Sequence, residues 1–180
     1  MQELFVSSDG IFAQYPGFYR QAQTKLAREQ RKLSKCQKES SNRNKQRIKV
    51  ARAHEKVANQ RKDLLHKLSR QITNAYDVVC IEDLNMKGMA QALNFGKSVS
   101  DNGWGMFTTM LGYKLAEEGK QLVKIDKRFP SSKKCSNCGK VKEELLLSER
   151  GYICECGLVL NRDINAAINI RNEGKQMLAA

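Results

Sequence analysis

The chain opens with Leu4-Phe5-Val6, then Ser7-Ser8-Asp9-Gly10, then Ile11-Phe12-Ala13. Two short apolar segments around an Asp-Gly turn predict a β-hairpin. From Phe18 to Lys87 neither Gly nor Pro interrupts the sequence, and apolar residues recur at helical spacing. The first set is Tyr19, Ala22, Leu26 and Leu33, and the second is Ile48, Ala51, Ala58, Leu65, Leu68 and Ile72. The polar cluster Ser40-Ser41-Asn42-Arg43-Asn44 separates them. A long antiparallel helical hairpin is expected over about residues 18–75, its apolar stripe inward and its Lys and Arg outward. From Asp77 to Leu84 the helical period gives way to Val78-Val79-Cys80-Ile81, the pattern of a strand buried on both faces, with Glu82 and Asp83 at its C-terminal end. After a polar loop to Asn102, the spacing of Trp104, Phe107, Leu111 and Leu115 predicts a helix that Gly119 stops, and Gln121–Asp126 predicts a second buried strand. Strand, helix, strand implies a βαβ unit with parallel pairing. Trp104 reads as core packing, with base stacking as the other use of such a ring.

Charge changes this picture. A chain of 180 residues can bury one ordinary core with room for a small appended module. Lys and Arg number 32 against 19 Asp and Glu, a net +13. Between Arg20 and Arg70 there are 17 basic and 4 acidic residues, so this segment carries the whole excess. Such a concentration is the footprint expected for a polyanion, because each phosphate neutralised releases counterions. A merely solvated helical face usually mixes both signs, and this one barely does. Nucleic acid is therefore the expected partner, with Arg28, Arg31, Lys32, Arg47 and Arg52 as hairpin contacts. No apolar run is long enough to cross a bilayer, and Met1-Gln2-Glu3-Leu4 lacks a secretory pattern. The expectation is a soluble, cytoplasmic, nucleoid-associated protein without a membrane partner.

Four of the six cysteines stand in two close pairs, Cys135-Ser136-Asn137-Cys138-Gly139 and Cys154-Glu155-Cys156-Gly157. Each pair brings two thiolates together ahead of a turn-permitting glycine. Tetrahedral zinc takes four soft ligands from two such knuckles, so Cys135, Cys138, Cys154 and Cys156 are read as a structural zinc ribbon spanning residues 130–157. Four unligated surface cysteines is the bland reading. A closed four-thiolate site leaves no open position for chemistry, and its role is to fold the ribbon and present Lys133, Lys134 and Lys140. Cys36 and Cys80 are assigned no function. Asp163 lies near a helix start, where it reads first as an N-cap. Glu82 at a buried strand end is harder to dismiss, because unpaired charge there is costly and strand ends in mixed α/β folds are where sites are built.

Several stretches, taken in order, resemble a known family: Ile81-Glu82-Asp83-Leu84-Asn85-Met86-Lys87-Gly88-Met89; Asn102-Gly103-Trp104-Gly105; Phe129-Pro130-Ser131-Ser132-Lys133 leading into the first knuckle; and Arg162-Asp163-Ile164-Asn165-Ala166-Ala167-Ile168-Asn169-Ile170. They look like the C-terminal half of TnpB (OrfB) proteins, which are transposon-encoded and related to the type V CRISPR effectors. The likeness runs from about Leu4 to Arg171. It implies an α/β fold of the RNase H-like (RuvC) type with a mixed sheet, a helical hairpin inserted after the early strands, and a zinc ribbon inserted before the last helix. The RuvC-like part would comprise residues 1–129 and 158–174, with 175–180 as a tail. Complete members are RNA-guided DNA endonucleases whose three carboxylates bind two Mg²⁺ ions. Glu82 matches the second acid and Asp163 the third. The first, in a Gly-Ile-Asp-like motif on the central strand, has no counterpart, since Ser8-Asp9-Gly10 matches a later turn and Asp9 at a hairpin tip is a poor substitute.

Three readings follow from that resemblance. The chain is an N-terminally truncated TnpB that binds DNA and guide RNA without cutting alone, or a Mg²⁺-dependent nuclease completed by another chain, or a regulatory RNA-binding module. A missing central strand would also expose two sheet edges and invite self-association.

Overall fold

The computed structural model describes residues 3–84, 103–146 and 148–179. The family-like residues Asn85–Met89 and Asn102, and the polar loop before Trp104, lie outside them. The N-terminal hairpin forms as expected: β1 (Glu3–Val6) pairs antiparallel with β2 (Phe12–Gln14). Its turn is closed by Ser7, whose Oγ accepts from the N–H groups of Asp9 and Ile11, and by Gly10 at φ 80°.

Helix α1 (Phe18–Lys35) and helix α2 (Ser41–Ala75) form the long hairpin. The turn falls earlier than the polar cluster suggests. Ser40 is the N-cap of α2, its Oγ accepting from Arg43 N–H at 3.1 Å, so Ser41–Asn44 are already helical. Arg43 in turn donates to the carbonyls of Leu33 and Cys36, satisfying the free C-terminal end of α1.

The buried seam of α2 also differs from the expected stripe. Ile48 is 48% exposed, and Ala51 and Ala58 face solvent. The inward positions are Gln46, Val50, Ala53 and Val57, spaced by four, three and four residues like the seam of a two-helix coil. Gln46 is buried because it has a partner: its Nε2 donates to Glu29 Oε2 at 2.7 Å and to the Glu29 carbonyl at 3.1 Å. Glu29, itself buried on α1, also holds Arg28 and Lys32. A hydrogen-bonded amide and carboxylate thus occupy a place that a hydropathy pattern assigns to apolar residues.

Past Arg61, α2 leaves α1 and enters the main core. Leu65 packs there with Leu4, Phe107, Met110, Leu111 and Leu115, and Phe5, Trp104, Val79 and Leu122 close around them. Trp104 lies against Phe107 with ring centroids 5.7 Å apart, the packing role expected of it. Phe107 through Leu115 belong to α3 (Trp104–Glu117), which connects β3 (Val78–Glu82) to β4 (Gln121–Ile125). The two strands pair in parallel from Val78 with Gln121 to Glu82 with Ile125, the βαβ unit read from the pattern. They are less buried than expected. Only Ile81 and Ile125 are fully covered, because the described sheet has two strands and one side of each remains unpaired.

The C-terminal region contains a smaller hairpin, β5 (Gly151–Ile153) with β6 (Val159–Asn161), followed by α4 (Arg162–Ala179). Helix α4 continues through residues 175–179, expected as a tail. Its buried Gly174 lies on Cys80 of β3, where a Cβ would overlap Cys80 Sγ. No helix among the described residues is long and apolar enough to cross a membrane.

Candidate metal centre and nucleic-acid interface

The two cysteine pairs converge. All four Sγ atoms lie within 4.8 Å of one another, and this is the only such group of three or more potential ligands among the described residues. Cys135 and Cys156 Sγ are 3.6 Å apart, as are Cys138 and Cys154. A tetrahedral zinc with Zn–S near ~2.3 Å sets its sulfurs about 3.8 Å apart, so the cage fits such an ion. Each knuckle is built by backbone. Gly139 N–H donates to Cys135 O and Cys135 N–H to Lys140 O; Gly157 N–H donates to Cys154 O and Cys154 N–H to Leu158 O. Gly139 and Gly157 have φ of 78° and 88°, a conformation glycine adopts without strain. The Leu158 N–H and the Asn137 side-chain amide at Cys156 Sγ bring that thiol down to about 6, whereas, against the lowering by the Lys140 N–H, hydrogen bonding with the other cysteines pushes Cys138 up to about 12, so without metal the four thiols share protons and Cys156 ionises readily. Tyr152 is fully buried beneath the cluster, its hydroxyl donating to Lys133 O.

This module is fastened to α4 by two buried asparagines. Asn165 Oδ1 accepts from Ser136 N–H at 3.0 Å while its Nδ2 donates to Lys134 O at 2.8 Å. One turn on, Asn169 Nδ2 donates to Ser131 O and Lys134 O at 2.9 and 2.6 Å. Neither was singled out from the sequence. The available signal was two amides at i and i+4 on the inward face of a helix, where an apolar stripe is the norm.

Glu82 ends β3, half buried, and burial pushes its carboxyl above the usual range. Among the described residues no cation pairs with it. Asp83 next to it points outward to Lys124 at 3.7 Å. Asp163 is free of the capping role assigned to it first. Asn161 Oδ1 accepts from the N–H groups of Asp163 and Ile164 at 2.8 and 3.3 Å and caps α4 instead. The Asp163 carboxylate is partly exposed, with Arg162 and Arg150 at 3.7 and 3.9 Å. Glu82 and Asp163 are not gathered with a third described ligand into one metal-sized cluster. Asp9 is occupied elsewhere: it accepts from Tyr76 OH at 2.6 Å and faces Arg171.

Of the basic candidates, Arg28, Arg31, Lys32, Arg47 and Arg52 are all exposed on the hairpin, Arg28 and Lys32 leaning on Glu29. Lys133 and Lys134 are committed within the cysteine module. Lys133 Nζ donates to Glu143 O at 2.7 Å, and Lys134 lies over the Phe129 ring, 5.2 Å from its centroid.

Residues 1–93 match the OrfB_IS605 family profile, described as "Probable transposase", and residues 104–170 match the "Cas12f1-like, TNB domain". The chain belongs to the OrfB (TnpB) family. Among relatives of this OrfB-family chain, the "Putative RNA-guided DNA endonuclease" of Streptomyces pristinaespiralis is 42% identical over 159 residues, which are 88% of this chain and 40% of the relative. The "Putative RNA-guided DNA endonuclease InsQ" of Escherichia coli (strain K12) is 32% identical over 98% of this chain and 48% of its own length. The chain therefore spans under half the length of these relatives. Among solved structures, Cas12f1 in a cryo-EM complex with sgRNA and target DNA superposes with a TM-score of 0.63 at 21% identity, covering 90% of this chain and 43% of that one. The mixed α/β fold is thus of the Cas12f1 kind.

Proposed function

We propose that this OrfB-family chain is the nucleic-acid-binding, RuvC-like portion of a TnpB-type RNA-guided DNA endonuclease, gripping DNA and guide RNA through the α1–α2 hairpin. The observation that carries this reading is the hairpin itself, which bears the whole net charge of +13 on exposed faces. Zinc in the four-thiolate cage is structural and holds the ribbon, residues 130–157, onto α4. Glu82 and Asp163 are the metal-binding carboxylates of the nuclease centre. Their oxygen donors suit Mg²⁺, which supplies activation of water and stabilisation of the leaving oxygen when bound. The desolvated Glu82, without a cationic partner among the described residues, is the stronger of the two ligands.

Taken by itself the chain is a binder and not a nuclease, because two carboxylates with no third gathered at the same centre among the described residues hold metal weakly. An active enzyme completed by a second chain is the other reading, favoured by the sides of β1 and β3 that pair with no strand among the described residues, which also offer edges for self-association.

The experiment is fluorescence anisotropy of labelled single-stranded DNA and RNA over a range of salt. Neutralising Arg28, Arg31, Lys32, Arg47 and Arg52 together should weaken binding at every sequence and lower the salt slope by about 3–4. Unchanged affinity and slope would place the interface elsewhere. Nicking of single-stranded DNA in Mg²⁺ by the unmodified chain, abolished by both Glu82→Ala and Asp163→Ala, would replace the binder reading with the completed-enzyme one.

A further inference from the structure

At the base of the hairpin, where α2 meets α3, Lys114 is only 4% exposed. Its Nζ donates to His66 O at 2.8 Å and to Ser69 Oγ at 2.7 Å. Both acceptors are neutral, and among the described residues no carboxylate forms an ion pair with it. Burial and the neighbouring Arg70 hold its ammonium below the usual lysine range, with Glu117 on the same helix opposing them. A buried cation without a counter-ion is costly, and an ammonium bonded twice keeps a third N–H to offer.

Beside Lys114 lies an open groove of about 460 Å³, lined by His66, Lys67, Arg70, Gln71, Tyr113 and Lys114. None of these is acidic. Of the carboxylates near these cations, Glu117 acts on Lys114 at a distance without an ion pair among the described residues, and two others are paired. Asp63 holds Lys67 at 2.7 Å and Glu118 holds Arg70 at 2.6 Å. Those contacts fix the two cations in place and leave their remaining donors free, and a guanidinium bonded on one nitrogen still presents a planar pair for an oxyanion. Tyr113 is 42% exposed at the edge of the groove and adds a hydroxyl. Three cations lining one groove, one of them desolvated, match a phosphate better than a single carboxylate, since a phosphate accepts from several directions at once.

We infer that this groove seats a backbone phosphate of a nucleic-acid strand, against Lys67, Arg70 and Lys114, at a position separate from the exposed hairpin face. The site rests on the nucleic-acid reading of the chain and extends it from a diffuse charged surface to a defined anchoring point. The groove opens beside the part of α2 that carries Lys67 and Arg70.

The test uses the full chain with zinc supplied. The sequence has only two histidines, His66 at the groove and His54 on the hairpin, so their ring resonances report separately. Inorganic phosphate titrated at constant pH and ionic strength should shift His66 saturably and leave His54 unmoved, and Lys67→Ala/Arg70→Ala should abolish that shift. No shift at His66, or equal shifts at both rings, would overturn the site. In a second arm, binding of a 20-nucleotide oligo-dT is measured against salt. The Lys67→Ala/Arg70→Ala variant should lose about fivefold or more in affinity and about 1–2 in salt slope. The charge-matched Lys127→Ala/Arg128→Ala variant, on an exposed turn outside the groove, should change affinity less than about twofold under the same counterion argument. Equal losses from the two double variants would sink the groove alone, whereas an unmodified chain that binds no oligonucleotide would sink the nucleic-acid reading of the whole chain.

Discussion

Replacing Asn165 with Ala removes two hydrogen bonds between α4 and the first cysteine knuckle, at 3.0 and 2.8 Å, from a side chain with no solvent exposure. The two lost bonds are not equivalent. Ser136 N–H loses the partner it has in Asn165, while Lys134 O keeps Asn169 Nδ2 at 2.6 Å. One orphaned donor plus the net value of the second bond comes to about 2–4 kcal/mol. Asn169→Ala likewise leaves Lys134 O with Asn165 and strips Ser131 O of the Asn169 amide, a loss of about 1–3 kcal/mol. The double variant differs in kind, because only there does Lys134 O lose both amide donors. Its cost should exceed the sum of the single losses by about 1 kcal/mol, the penalty of emptying a shared acceptor. Urea unfolding of the zinc-loaded protein, run as a double-mutant cycle, measures that excess. An additive or sub-additive cycle would refute the account of Lys134 O as the shared anchor. Single losses below about 0.5 kcal/mol would refute the clamp altogether.

Metal analysis should return one zinc per chain, and Cys135→Ser or Cys154→Ser should unfold the ribbon while helical circular dichroism from α1 and α2 persists; no zinc in the purified protein would contradict the cage. For Glu82, whose folded pKa is raised by burial, the folded state holds its proton more tightly than the unfolded one. Its ionised form therefore opposes folding at neutral pH, and that penalty disappears as pH falls through the folded value toward the unfolded one. Glu82→Gln should accordingly raise the urea midpoint at pH 7 and leave it nearly unchanged below about pH 4, and a less stable variant at pH 7 would reverse the sign. Gly174→Ala drives a methyl into Cys80 and should cost about 1–3 kcal/mol. Adding Cys80→Ala should recover part of that loss, and no recovery in thermal melts would show that the contact is not the cause.

The hairpin, the βαβ unit and the two knuckles were legible because each follows from a local rule: short apolar runs flanking Asp-Gly, period 3.6 without Gly or Pro, and paired cysteines before glycine. Positions set by partners distant in sequence were not legible. Gln46 and Glu29 bury each other 17 residues apart, so the seam of α2 runs through Gln46 and Val57 and leaves Ile48 outside. Lys114 reads as an exposed lysine in a helical pattern until His66 and Ser69, more than 40 residues earlier, close over its Nζ. At the candidate nuclease centre, Glu82 stood out as an acid ending an apolar run. The freedom of Asp163 was hidden, since only the conformation of Asn161 decides which of two neighbouring polar residues caps α4.

Helix α2 is one unbroken rod of 35 residues, about 52 Å at 1.5 Å per residue, with one end in solvent and the other locked among Leu65, Leu111 and Leu115. It ends at Ala75, and its C-cap Tyr76 stands two residues before the start of the strand that finishes at Glu82. The rod therefore behaves as a ruler, keeping whatever its far end touches at a nearly constant reach from that carboxylate. Four residues inserted near its middle would add about 6 Å and rotate the basic face by roughly a tenth of a turn. Two residues would add about half as much and rotate it by more than half a turn. Length and phase can thus be varied almost independently in one element, which makes α2 the element that sets the spacing between the hairpin tip and Glu82.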